Sequence, residues 1–104
     1  MTNVLKLREL DKPKALSEEA KQILEFLNAK AGKRFRPVPV NIEMIVARLR
    51  EGYTPDDLRS VVAMKCRKWK GDERMNEYLR PATLFNRTNC AQYVGELGPE
   101  EAGG

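Results

Sequence analysis

Histidine is missing from this chain altogether, and cysteine occurs only twice, at Cys66 and Cys90. The first absence removes the commonest general base and the usual partner of a serine or cysteine nucleophile. With two distant cysteines and no ligand spacing around them, nothing here can assemble a structural zinc site. Two free thiols that behave as small hydrophobes in a reducing compartment are the simpler reading. No apolar run approaches the roughly 18 residues of a membrane span. The opening Met1-Thr2-Asn3-Val4-Leu5-Lys6 lacks the apolar stretch of a secretory signal. A glycine-rich phosphate loop is absent too. Asp56-Asp57 and Asp72-Glu73 are the nearest approach to paired catalytic carboxylates, and helix capping and turn formation account for them. The expectation is a cytoplasmic protein, not an enzyme, with no cofactor, no metal and no membrane contact.

What the chain does have is charge. Its 104 residues are 33% charged and 41% hydrophobic, with a formal net charge of +4. That length is enough for one modest core in one domain. The charge is unevenly spread: between positions 33 and 70 ten basic side chains stand against four acidic ones. The last ten residues hold Glu96, Glu100 and Glu101 and no basic residue. Such asymmetry suits a polyanionic partner, although a solvated helix surface produces it as well.

Three helices are signalled. Ser17 is a candidate cap, followed by Glu18 and Glu19 at the positive end of the dipole. Ala20, Ile23, Leu24, Leu27 and Ala31 then make one apolar face, and Gly32 stops the run. A second helix is expected from Asn41 to Gly52, with Ile42, Ile45, Val46 and Leu49 on its buried side. The third has the fullest start: Thr54 as cap, Pro55 at the first helical position and Asp57 three residues after the cap. It runs to about Lys70, with Leu58, Val61, Val62 and Trp69 in one arc and Cys66 at its edge. Pro37 and Pro39 force the segment 33–40 to be extended, with Phe35 or Val38 tucked inward. After Gly71 the pattern breaks into short pieces: a turn at 75–79, a tight turn at 83–85 and a last helical turn at 90–94. The fold class is all-α, a small bundle of three main helices with an irregular, partly helical C-terminal arm. Residues 1–16 read as a flexible lead-in or linker, 17–94 as the helical domain and 95–104 as a disordered acidic tail.

Several blocks look familiar together: Ile23-Leu24-x-x-Leu27-Asn28-x-Lys30-x-Gly32-Lys33-x-Phe35-Arg36, Ala47-Arg48-Leu49-x-Glu51-Gly52-Tyr53-Thr54, Lys65-x-x-x-Trp69-Lys70-Gly71, and Tyr78-Leu79-Arg80-Pro81-x-Thr83-Leu84-Phe85. They resemble the conserved phage C-terminal domain found in phage and prophage replication-initiation proteins, often behind a winged-helix or DnaD-like segment. The resemblance covers about 23–94. It implies a role near helicase loading or origin handling in phage DNA replication. Near the end the chain departs from that pattern, reading Asn89-Cys90-Ala91-Gln92-Tyr93 where relatives carry a basic-aromatic-acidic step.

Two kinds of binding surface are candidates. Lys33, Arg34, Arg36, Arg48, Arg50, Arg67, Lys68 and Lys70 form a basic set that suits DNA phosphates, single-stranded or duplex, without reading sequence. Tyr78, Arg80, Pro81 and Tyr93 lie on the aromatic and proline arm, where rings interleaved with Arg74, Arg80 and Arg87 suit either the stacking of bases or a protein partner such as a helicase or another replisome component. For Trp69, Leu84 and Phe85 the core is the preferred place. Lys65 falls inside the apolar arc of the third helix, so it must snorkel or find a carboxylate, with Asp72 and Glu77 as the sequence-near options.

Overall fold

A computed structural model describes the backbone of residues 2–98 and the side chains of residues 14–98. Among the described residues five helices follow one another: α1 Thr2–Ala31, α2 Pro39–Arg50, α3 Pro55–Trp69, α4 Pro81–Leu84 and α5 Arg87–Gly95, with a 3-10 turn at Asn76–Tyr78 before α4. No strand occurs among the described residues. The expected all-α bundle of three main helices with a partly helical C-terminal arm is what forms. The part of the acidic tail at 99–104 lies outside the described residues.

Local chemistry sets the helix ends. Gly32 takes φ +69°, and the Lys33 amide donates to the Asn28 carbonyl. Gly52 repeats the device at φ +110°, with the Tyr53 amide donating to Arg48 and the Gly52 amide to Leu49. Both are left-handed closures that favour glycine and satisfy orphan carbonyls. At the head of α3 the capping box is complete: Thr54 Oγ1 accepts from the Asp57 amide at 3.0 Å, and Asp57 Oδ2 accepts from the Thr54 amide at 2.9 Å. Asn86 caps α5 by accepting from the amides of Thr88 and Asn89.

Two helix starts differ from expectation. α1 does not open at Ser17 but runs from Thr2 through Pro13, since the Leu, Lys, Arg and Glu of 4–11 are good helix formers. α2 begins two residues before Asn41, with Val38 at the cap position and Pro39 at N1. Its preset φ makes proline suit that position, and its missing amide is one the first turn leaves unpaired. Asn41 instead donates its amide to the Arg36 carbonyl at 2.8 Å.

The core gathers Ala20, Ile23, Leu24, Leu27 and Ala31 of α1, Ile42, Ile45, Val46 and Leu49 of α2, and Leu58, Val62 and Cys66 of α3. Leu79, Leu84, Phe85 and Cys90 close it from the C-terminal side. The extended link between α1 and α2 is tied down by one side chain: Asn28 Nδ2 donates to the Phe35 carbonyl and Asn28 Oδ1 accepts from the Phe35 amide, both at 2.9 Å. That pairing brings Phe35 against the core and leaves Val38 exposed. Cys66 and Cys90 are both free and buried. Burial pushes the Cys90 thiol up to about 11, so little of the reactive thiolate exists near neutrality.

Candidate nucleic-acid interface

The basic side chains that the sequence groups together are divided by the fold. Lys33 Nζ donates to the Asn76 carbonyl at 3.1 Å, and Asn76 Nδ2 donates to the Lys70 carbonyl at 2.8 Å. One asparagine therefore joins the end of α1, the end of α3 and the start of the C-terminal arm. Electrostatics agree with that convergence. Burial raises the Cys66 thiol above its ordinary value, while Lys70, Lys30 and Lys33 are all near enough to pull it back down. Arg34 and Arg36 continue from Lys33 along the extended link and are exposed, as are Arg67 and Lys68 on the last turn of α3. Over 30–38 and 67–80 together, nine basic residues face three acidic ones, Asp72, Glu73 and Glu77. Asp72 is partly spoken for, since its Oδ1 accepts from the amides of Arg74 and Met75.

Two members of the expected DNA-contacting set fall elsewhere. Arg48 is corrected outright: its side chain is only 9% exposed and turns into the protein. One guanidinium nitrogen donates to the Phe85 carbonyl at 3.1 Å, and another reaches Glu51 Oε2 at 2.8 Å. The reason is its place on α2, three residues after Ile45 and so beside the apolar face. Arg50 is exposed but sits at the end of α2, across the turn from the start of α3. The fifteen residues of α3 span about 22 Å, which separates Arg50 from Lys70.

The partner-binding set is divided as well. Pro81 is buried at the first position of α4, which corrects its assignment to an exposed arm. Tyr93 is half-buried and its ring meets Trp69 edge-on, with centroids 6.0 Å apart. Tyr78 and Arg80 remain together at the surface, with the Arg80 guanidinium carbon 5.1 Å from the Tyr78 ring centroid. Arg80 Nε donates to Thr83 Oγ1 at 3.2 Å.

Lys65 is buried, as its wheel position requires, but its partner is neither Asp72 nor Glu77. Its Nζ lies 2.9 Å from Glu96 Oε1, 4.2 Å from the Tyr93 ring centroid and 4.9 Å from that of Trp69. This ion pair fastens the end of α5 to the end of α3. Burial raises the Tyr93 phenol above its usual value, and the Glu96 carboxylate adds to the effect. Removing one charge from such a pair costs most when the buried charge is the one left behind. Glu96→Gln leaves the ammonium between two rings and is expected to destabilise the domain by about 1–2 kcal/mol, discounted because Glu96 is half-exposed. Lys65→Met keeps the packed stem and removes the charge, so its cost should stay under about 1 kcal/mol. Urea unfolding followed by circular dichroism measures both, and a silent Glu96→Gln would remove the pair from any role in stability.

Lys30 and Asn76 belong to this end of the molecule and are not singled out by the sequence, whereas Arg74 stands out there as one of the arginines interleaved with the aromatic arm. Lys30 was detectable, because it lies on the last turn of α1 three residues before Lys33. Asn76 was not, because its role depends on contacts made 6 and 43 residues away.

The described residues thus define a small helical bundle with one basic end, built where two helix C-termini meet. They contain no group of side chains suited to hold a metal ion, and no described helix is long and apolar enough to cross a membrane. The chain belongs to the conserved phage C-terminus family, whose model matches residues 23–95. That match runs from Ile23 in α1 to the last residue of α5 and takes in the whole basic end. No curated protein matches the chain. No solved structure matches it.

Proposed function

We propose that this domain is a non-catalytic binding module of a phage replication-initiation protein and that it contacts DNA through its basic end. The observation that carries the reading is the Asn76 tie between the Lys33 ammonium and the Lys70 backbone, which sets the ends of α1 and α3 side by side, with Lys30, Arg34, Arg36, Arg67 and Lys68 on the segments beside them. Lysines at helix C-termini also complement the helix dipole, but two or three charges suffice for that purpose. Arg34 and Arg36 lie beyond the helix, where the dipole has faded. The family match supports the phage context, and the resemblance of the motifs to replication-initiation proteins supports the replication setting. Docking of a helicase through residues 78–85 is the less favoured reading, because Leu79, Pro81, Leu84 and Phe85 of that arm are buried within the domain.

Fluorescence anisotropy of labelled single-stranded and duplex DNA, repeated over a salt series, tests the reading. Micromolar affinity near physiological salt is expected, with about five phosphate contacts giving a log–log slope near −3.5 for single strands. The triple variant Arg34→Glu, Lys68→Glu, Lys70→Glu should lose about 100-fold in affinity at 0.1 M salt. Its stability should change little, because all three side chains are exposed. Absence of binding even at low salt overturns the proposal and directs attention to a pull-down of the host helicase.

A further inference from the structure

We infer that the strand held at the basic end is single-stranded and that the Tyr78–Arg80 pair is a platform on which one base stacks. This rests on the DNA-contacting reading above and adds to it the form of the nucleic acid and the residues that distinguish it. The pair is placed by the same knot that gathers the lysines. Asn76, which holds Lys33 and the end of α3, opens the 3-10 turn that ends at Tyr78. Tyr78 lies two positions further on, at most about 7 Å of chain. Leu79, fully buried, anchors the backbone between the two stacking residues. Arg80 is extended, at φ −155° and ψ 157°. Its Nε bond to Thr83 fixes the guanidinium above the Tyr78 ring. The two terminal guanidinium nitrogens have no hydrogen-bond partner among the described residues, so both can donate to a phosphate. The group's exposed plane offers a stacking face to a base.

The other aromatic residues of this half of the molecule do not compete for that role. Trp69 and Tyr93 face each other edge-on and share the Lys65 ammonium. Tyr78 is paired with a cation that is itself exposed. A duplex has little use for such a platform, since its bases are already stacked on one another. A duplex reader also presents a helix or ribbon to the major groove, or helix N-termini to the phosphates. Here both converging helices present their C-termini, whose carbonyl ends repel phosphate, so contact falls to long mobile side chains. Mobile cations tracking a backbone, with an aromatic–guanidinium stack between them, are the parts that hold single strands without regard to sequence.

The test compares three ligands at matched salt: a dT12 strand, the same strand with abasic sites throughout its central half, and a 12-base-pair duplex. The wild-type domain should bind dT12 at least tenfold more tightly than either of the others. Tyr78→Ala should weaken dT12 binding about 5- to 100-fold while leaving abasic-strand affinity and the salt slope unchanged. Tyr78→Phe should retain dT12 affinity, which separates loss of stacking from loss of fold. Equal binding of dT12 and the abasic strand, or a duplex bound as tightly as dT12, overturns the single-strand platform and leaves the DNA-contacting proposal standing. No binding of any of the three brings down both.

Discussion

Phe85→Ala is expected to remove about 3–5 kcal/mol of folding free energy, the largest effect of any single truncation in this domain. Phe85 is 0% exposed and is the bulkiest of the fully buried side chains. It sits just after α4, where the C-terminal arm closes over α2 and α3. The loss has two parts, the transfer free energy of the ring and the cavity left in the core cluster it belongs to, which can collapse only partly. A domain of this size has about 5–10 kcal/mol in total, so the loss takes about a third of it at the least. Each kcal/mol lowers the melting temperature by about 4–8 °C at this length, and a fall of about 15–30 °C should be seen by calorimetry. Val40→Ala is the matched control: Val40 is 65% exposed, and its change should stay within about 0.5 kcal/mol. A Phe85→Ala loss below about 1 kcal/mol would remove the arm from the core as described.

The second large effect belongs to Arg48. Its guanidinium joins the end of α2 to the carbonyl that closes α4, and its other terminal nitrogen meets Glu51, which Arg87 also approaches at 3.8 Å. Its Nε is buried with no hydrogen-bond partner, so the arginine is not perfectly satisfied even in the native state. Arg48→Ala loses the charge-assisted bond to the Phe85 carbonyl and the packing of the stem together, at about 3–4 kcal/mol. Arg48→Met keeps the stem and relieves the stranded Nε, leaving only the carbonyl unpaired, at about 1–2 kcal/mol. Glu51→Gln should cost least, since the guanidinium retains the Phe85 carbonyl and a glutamine oxygen at position 51 can still accept from it. Denaturant midpoints should fall in that order, and an Arg48→Met variant as weak as Arg48→Ala would mean that the charge, not the stem, carries the contribution.

Where the determinants of structure are local, the residues announce them. Thr54, Pro55 and Asp57 specify the head of α3 within four positions, and Gly32 and Gly52 specify two helix ends from single φ requirements. The apolar faces of α1 and α2 follow from spacing alone, and they make up most of the core. Sequence alone puts the head of α2 too late, because Asn41 is a good cap by type, while Pro39 two residues earlier is an equally good first helical residue. Asn86 marks the start of α5 by the same capping rule, yet the polar stretch after it has no apolar stripe to show that nine residues are helical.

The site was less legible than the fold. The burial of Lys65 could be deduced from its angle on the wheel, but Glu96 lies 31 residues away on a helix whose docking is a tertiary fact. Arg48 occupies the margin of the α2 face, where a side chain of its length can turn either way, and only the Phe85 carbonyl decides. The basic residues were visible as a composition. Their division into a cluster at one end of α3, Arg50 at the other and Arg48 inside depends on how the helices run, which spacing does not encode.

The chain contains a single tryptophan, and its placement has a practical consequence. Trp69 stands in the seam between α3 and α5, edge-on to Tyr93 and beside the Lys65 ammonium. Its emission therefore reports on that seam and not on the interior formed by α1 and α2. α5 contributes only Cys90 to the fully buried set, so it is the segment most apt to open ahead of the rest. If it does, the fluorescence transition in denaturant will precede the loss of ellipticity. If the two coincide, the latch and the bundle unfold as one cooperative unit.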